Sequence, residues 1–226
     1  PLYKVASYET THIPFLKRLG KTGKPIIMSV GFSTLKEIEL AVDTLRSHGA
    51  GDIALLHCTT AYSKIPKPED ANLMTMLDLQ DRFGTVVGFS DNNVGTEIPL
   101  QAVMMGASVL EKHMVASAGD RVIDGDFSLK PRDFKALVDA VRKAECALGE
   151  VKYGVKCKAE EDNAKYQRSI FAVRDIRKGE TLSKENIRVI RPRFGLEPKY
   201  YEELIGKIVI QDIERGTPMA WDMIQK

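Results

Sequence analysis

Apolar and polar positions alternate in blocks along the first two thirds of the chain. Short, almost uninterrupted apolar runs fall at Tyr3–Ser7, Pro25–Val30, Ile53–Cys58, Val86–Ser90 and Val109–His113, each bounded by Gly or polar residues. Runs of that length and uniformity predict parallel strands buried on both faces. The segments between them carry helical spacing. Thr34-Leu35-Lys36-Glu37 is a capping-box pattern, after which Leu35, Ile38, Val42 and Leu45 recur on one face and Gly49 is a stop signal. Pro131 opens another helix whose apolar face is Phe134, Leu137, Val138, Val141 and Leu148. Strand and helix in repeated alternation predict an α/β fold with a parallel sheet.

The pattern changes at residues 149–167, where GEVKYGVKCKAEEDNAKYQ is charged and unpatterned and reads as a linker. Beyond it, Ser169–Val173, Ile187–Arg191 and Ile208–Ile210 read as short strands, with Lys178-Gly179-Glu180 and Arg215-Gly216-Thr217 as turns. The predicted division is therefore 1–148, a linker at 149–167, and a small β-rich domain at 168–226.

Composition narrows the class without naming it. The chain has 226 residues, 43% hydrophobic and 28% charged, with a net charge of +2. That is ordinary globular composition and gives no expectation of nucleic-acid or membrane binding. Cys58, Cys146 and Cys157 are too widely spaced for a zinc motif. Their odd count predicts reduced thiols and a cytoplasmic setting.

The candidate chemistry sits where the apolar runs end. In a parallel barrel such positions lie at the C-terminal strand ends, where active sites are built. Lys4 and Ser7 in KVASYE offer an ammonium and a hydroxyl to a phosphate or carboxylate, and Glu9 offers an acceptor to sugar hydroxyls. Ser29 ends IIMS and Ser90 ends VVGFS. Taken singly each is an ordinary strand-end residue; their repetition suits an anion held by several donors. Lys4 could alternatively be a Schiff-base nucleophile, and no sequence feature separates the two roles. His57 and Cys58 are adjacent in a strand, so their side chains point to opposite faces and do not make a nucleophile–base pair. Thr60 and Tyr62, on the loop beyond, are better placed for binding. His113, with the carboxylates Asp91 and Asp124 predicted on the same face, could serve a hard divalent ion. Arg191, in RPRFG, is either a basic turn or an arginine that reaches a substrate.

Taken together, KVASYE, GKPIIMSVG, HCTTAY with PEDANL, GFSDNNVG, GASVLEKHM and DGDFSLKP, in this order, resemble the sialic acid synthase family. KGE, ENI and RPRFGLEP resemble that family's antifreeze-like (SAF) domain. The resemblance implies a (β/α)₈ barrel, here represented by strands four to eight, followed by the SAF domain in a domain-swapped homodimer. It implies condensation of phosphoenolpyruvate with an N-acylated amino sugar and water, giving a nine-carbon 2-keto acid and phosphate, with Mn²⁺ or Mg²⁺ as cofactor. On this resemblance Lys4, Ser7, Ser29, Thr60 and Ser90 contact phosphoenolpyruvate. Glu9 and Tyr62 contact the sugar, Arg191 reaches it from the partner subunit, and Asp124 is a further substrate-binding candidate. His113 is a metal ligand, and Lys4, Glu9 and His113 carry the catalysis.

There are two departures. The family's GxSDHTxG reads GFSDNNVG here, so Asn92 stands where a second metal-binding histidine is usual. An amide oxygen is the weaker donor, which lowers the expected metal affinity. The chain also begins at what would be the fourth barrel strand, and five strands cannot close such a barrel. These departures keep two alternatives open, a catalytically silent sugar-binding or assembly homologue and a Schiff-base aldolase using Lys4. RPRFGLEPKY leans to the pseudaminic branch of the family.

Overall fold

The computed structural model describes residues 1–62, 67–116 and 124–225. It divides into two compact units, Pro1–Gly149 and Glu150–Lys226.

The first unit is a five-stranded sheet of β1 (Tyr3–Val5), β2 (Ile26–Ser29), β3 (Ile53–Thr59), β4 (Val86–Asp91) and β5 (Val109–Lys112), ordered as in the sequence. Every pairing is parallel. The connections carry α1 (Ile13–Gly20), α2 (Leu35–Ser47), α3 (Met74–Phe83) and α4 (Glu97–Met104), and α5 (Pro131–Leu148) follows β5. The strands predicted from the apolar runs are all present: β1, β2 and β5 are shorter than their runs, whereas β3 and β4 each extend one residue further. β1 stops at Val5 because Ser7–Glu9 turns into a 3₁₀ helix.

The core lies between sheet and helices. Val5, Leu16, Met28, Val42, Leu45, Leu55, Met76 and Phe89 are each at most 1% exposed. Burial at this level contributes roughly 1.5–3 kcal/mol per large aliphatic or aromatic side chain. The capping box of α2 is in place: Thr34 Oγ1 accepts the Glu37 amide at 3.4 Å, and Glu37 Oε2 accepts the Thr34 amide at 2.7 Å. Leu35, expected on the buried face, is instead 39% exposed at the first position of the helix, whereas Ile38, Val42 and Leu45 are buried. Gly49, at φ +89°, supplies the left-handed residue after the helix. Gly88 in β4 is a close-approach position. A Cβ there would meet the Val109 carbonyl oxygen and stand 2.6 Å from Leu56 Cδ2.

Two readings need correction. Of the apolar face predicted for α5, only Leu137 is buried, while Val138 and Leu148 are 40% and 53% exposed. Phe134, Leu137, Val138 and Val141 line a cavity of about 240 Å³ against Val103 and Leu110, so this helix is packed by fewer neighbours than its pattern requires. The charged stretch predicted to be an unpatterned linker contains α6 (Lys158–Ala164), braced by Lys158 against Glu161 at 3.0 Å and Asp162 at 3.2 Å.

The second unit pairs β6 (Ser169–Ala172) with β7 (Ile187–Ile190) in antiparallel fashion and adds α7 (Tyr201–Leu204). Ile208–Ile210 does not form the predicted strand. Ile208 and Val209 make only isolated bridges, to Thr181 and Ile224, two different partners that leave no continuous ladder. Ile170, Ile176, Leu182, Ile187, Val209, Ile213 and Met219 form the core. Asn186 of the ENI motif is fully buried, accepting the Ser183 amide at 2.7 Å and donating to the Thr181 carbonyl at 2.9 Å. That accounts for an amide in the middle of an apolar core.

Candidate functional site

Parallel register carries the polar strand ends to one rim. Ser29 stands beside Leu56, Cys58 beside Ser90, and Ser90 beside Glu111. Side chains alternate faces along a strand, so Ser90 and Glu111 share one face while the next pair, Asp91 and Lys112, lies on the other.

On the first face is a pocket of about 200 Å³. Lys4, Ser7, Ser29, Thr60, Tyr62, Ser90, Asn92 and His113, all proposed from the sequence, line it; so do Tyr8, Cys58 and Glu111. The Lys4 ammonium donates to the Val5 carbonyl at 2.9 Å and to Ser29 Oγ at 3.0 Å, and lies 3.4 Å from Glu111 Oε2. Its three hydrogens therefore have three acceptors. Ser90 Oγ donates to Glu111 Oε1 at 2.7 Å. Gly31 brings β2 close to its neighbours here. A Cβ at that position would clash with Thr60 Oγ1 and stand 2.7 Å from Ser7 Oγ.

Asn92 is buried and donates its amide hydrogen to Cys58 Sγ at 3.1 Å; Thr60 Oγ1 lies 3.3 Å from the same sulfur. His57, on the other face of β3, meets the Ala71 carbonyl at 2.8 Å through Nε2, which bears out the separation of His57 from Cys58. Burial pushes the His57 imidazole below its usual pKa. Tyr62 has a left-handed backbone, φ +50°, unusual for an aromatic residue. Its ring packs against Phe127 at 5.2 Å and His113 at 6.0 Å. Burial raises its phenol pKa, helped by the neighbouring Tyr8.

Four proposed residues lie apart from the pocket lining. Asp91, expected on the face of His113, lies instead on the opposite face of the sheet, 2.7 Å from Lys112 Nζ, because successive residues of β4 alternate sides. Glu9 turns its carboxylate to the Ala6 amide at 3.0 Å and caps the 3₁₀ turn. Asp124 sits 3.7 Å from His113 Nδ1. Arg191 is exposed on the second unit, in the loop tied down by Ser169 Oγ, which donates to the Pro192 carbonyl at 2.7 Å. Glu111 was visible in the sequence only as one of several polar strand-end residues. Its contact with Ser90 is set by the β4–β5 register, and its contact with Lys4 requires the sheet to curl until its edge strands β1 and β5 face each other; no local pattern displays either.

As for a divalent ion, no group of three His, Cys, Asp or Glu side chains converges among the described residues. His113 and Asn92 do face the same pocket. An imidazole and an amide oxygen suit Mn²⁺ or Mg²⁺ when water and substrate complete the shell.

The NeuB family model matches residues 1–153, and the SAF domain model matches residues 167–225. The chain is 37% identical over 226 residues to a pseudaminic acid synthase of Helicobacter pylori, covering all of this chain and 66% of that protein. It is 39% identical over 217 residues to an N,N'-diacetyllegionaminic acid synthase of Campylobacter jejuni, covering 93% of this chain and 63% of that protein. The chain thus spans just under two thirds of the length of these curated relatives. Among solved structures, the spore coat polysaccharide biosynthesis protein SpsE of Bacillus subtilis aligns with a TM-score of 0.61 at 33% identity, covering all of this chain and 68% of that one.

Proposed function

Because the chain belongs to the NeuB family, we propose that it acts in a nonulosonic acid synthase that joins phosphoenolpyruvate to an N-acylated amino sugar. The pseudaminic type is favoured, since the C-terminal loop reads RPRFGLEPKY and a pseudaminic acid synthase is among the relatives. The observation that carries the reading is the convergence of Lys4, Ser7, Ser29 and Ser90 on one small pocket. At about 200 Å³ it suits a three-carbon anion better than a larger ligand.

In this reading the Lys4 ammonium and the three serine hydroxyls hold the phosphate and carboxylate of phosphoenolpyruvate, offsetting charge that would otherwise repel an approaching partner. The enol carbon forms a bond to the aldehyde carbon of the open-chain sugar, whose oxygen takes up a proton. Water adds to the resulting cationic carbon, phosphate leaves, and the ketone of the 2-keto acid remains. Thr60 and Tyr62 orient the two substrates from the loop after β3. His113 and Asn92 would hold Mn²⁺ or Mg²⁺, which when bound polarises the aldehyde. Glu9 and Asp124 complete the sugar site, and Arg191 reaches it from the partner in a domain-swapped homodimer. Free thiols at Cys58, Cys146 and Cys157 support a cytoplasmic setting. The three acceptors around Lys4 favour a fixed cation over a Schiff-base nucleophile.

The test is phosphate release from phosphoenolpyruvate by the intact protein, with an amino sugar and either metal. Release that needs sugar and metal together, and is lost in His113→Ala, is expected. Full activity of His113→Ala would remove the metal assignment. The bond between Asn92 and the Cys58 thiol favours a second reading, a silent homologue; it would bind phosphoenolpyruvate in calorimetry yet release no phosphate with either metal.

A further inference from the structure

Arg191 follows directly on β7, and its side chain is exposed, with no hydrogen bond or ion pair among the described residues. Arg193, two residues on, is the opposite case. Its amide donates to the Lys165 carbonyl at 2.9 Å, and its guanidinium donates to Gln167 Oε1 at 2.7 Å. Arg191 is thus the charged side chain of this loop left with donors to spare. A long free side chain loses entropy when it grips a ligand, so its worth depends on how firmly its backbone is held beforehand.

That hold comes from Ser169. It stands opposite Ile190 in the β6–β7 ladder, at the root of the Arg191 loop, and it is fully buried. Its hydroxyl donates to the Pro192 carbonyl at 2.7 Å and accepts the Phe194 and Gly195 amides at 3.2 and 3.0 Å. One donor and two lone pairs are all used, and all three go to backbone groups of this one loop. Gly195 closes the far end. A Cβ there would stand 2.5 Å from the Ile170 carbonyl oxygen, so the loop lies directly against β6. The next amide, of Leu196, donates to the Met219 carbonyl at 2.8 Å.

We propose that Ser169 is a positioning residue for the acceptor sugar: it fixes the loop from which Arg191 presents its guanidinium, and so sets the grip on the sugar without touching it. This rests on the synthase reading above, in which Arg191 reaches the sugar.

The experiment compares the intact protein with Ser169→Ala, Ser169→Cys, Arg191→Ala and the double variant Ser169→Ala with Arg191→Ala. Hydrogen exchange reads the anchor. In Ser169→Ala the Phe194 and Gly195 amides should exchange faster while the Ile170 and Ala172 amides stay protected. Phosphate release reads the consequence, with N-acetylmannosamine or a 2,4-diacetamido-6-deoxyhexose as acceptor, whichever wild type turns over faster. Ser169→Ala should raise the KM for the sugar about 10-fold, the lower end of what a hydrogen bond to a charged group contributes. The kcat and the KM for phosphoenolpyruvate should change less than about 2-fold, because a general defect would move all three. The double variant should be no worse than Arg191→Ala alone, since both remove the same contact. Ser169→Cys keeps a weak donor and acceptor and should fall between wild type and Ser169→Ala; it carries the test if the alanine variant does not fold. Faster exchange with an unchanged KM for the sugar, equal losses on both substrates, or additive losses in the double variant would overturn the positioning role and leave the synthase reading intact. No release by wild type with either sugar would overturn both.

Discussion

Lys112 Nζ donates to Asp91 Oδ2 at 2.7 Å across the β4–β5 ladder, on the face opposite the pocket, with side chains only 2% and 3% exposed. Lys112 also reaches the Asn93 carbonyl, and Asp91 Oδ1 accepts the Asn93 amide at 3.1 Å. The pair thereby holds the turn that carries Asn92 into the site. Removing one partner leaves the other charged and buried. Lys112→Met should cost roughly 3–5 kcal/mol in urea unfolding. Adding Asp91→Asn to Lys112→Met should recover part of that loss, because the stranded charge is gone; no recovery would mean the pair is not what holds the turn.

Gly31→Ala tests the packing of the anion site. The added methyl would clash with Thr60 Oγ1 and come within 3.0 Å of Ser7 Cβ, so a hydroxyl on either side must move. Overpacking of this kind costs about 1–3 kcal/mol. Calorimetry should show phosphoenolpyruvate binding weakened by more than the loss of stability alone accounts for. Unchanged affinity would place Ser7 and Thr60 outside the anion site.

Glu111→Gln addresses the charge that Lys4 faces in the free protein. The carboxylate occupies both Lys4 and Ser90 and repels an incoming anion. Its loss should tighten phosphoenolpyruvate binding about 5-fold, on the order of 1 kcal/mol for a partly exposed pair, with the gain shrinking at high salt. Weaker binding in the variant would instead make Glu111 a direct support of the ligand.

His57 gives a pH dependence with a definite sign. Its folded-state pKa is lowered, chiefly by burial. The unfolded chain therefore binds the proton more readily than the folded one. The contribution to stability is complete above the unfolded pKa of about 6.5 and declines as pH falls toward the folded value. Urea midpoints between pH 8 and pH 5 should fall more for wild type than for His57→Gln. Parallel curves would show that His57 does not report this difference.

Much of this molecule was legible from spacing. Apolar runs with abrupt polar ends gave all five parallel strands, because burial on both faces leaves no other pattern available. The polar residues that end them were recognisable as candidates, since strand ends in such a sheet share one rim. The failures have a common cause. Ile208–Ile210 had the composition of a strand but found a ladder partner only at single residues, and α5 had a full apolar face but only one buried residue on it.

What the amino-acid order determined alone was local: which segments extend or coil, where they stop, and which side chains they offer. Tertiary structure decided who meets whom. Register set Glu111 beside Ser90 and Asp91 beside Lys112 on the opposite face, the curl of the sheet brought Glu111 to Lys4 on the far edge strand, and the turn after β1 took up the Glu9 carboxylate. The physical reason is that a strand specifies the alternation of its faces, whereas the neighbour across the ladder lies about twenty residues away in sequence and is chosen only when the sheet assembles.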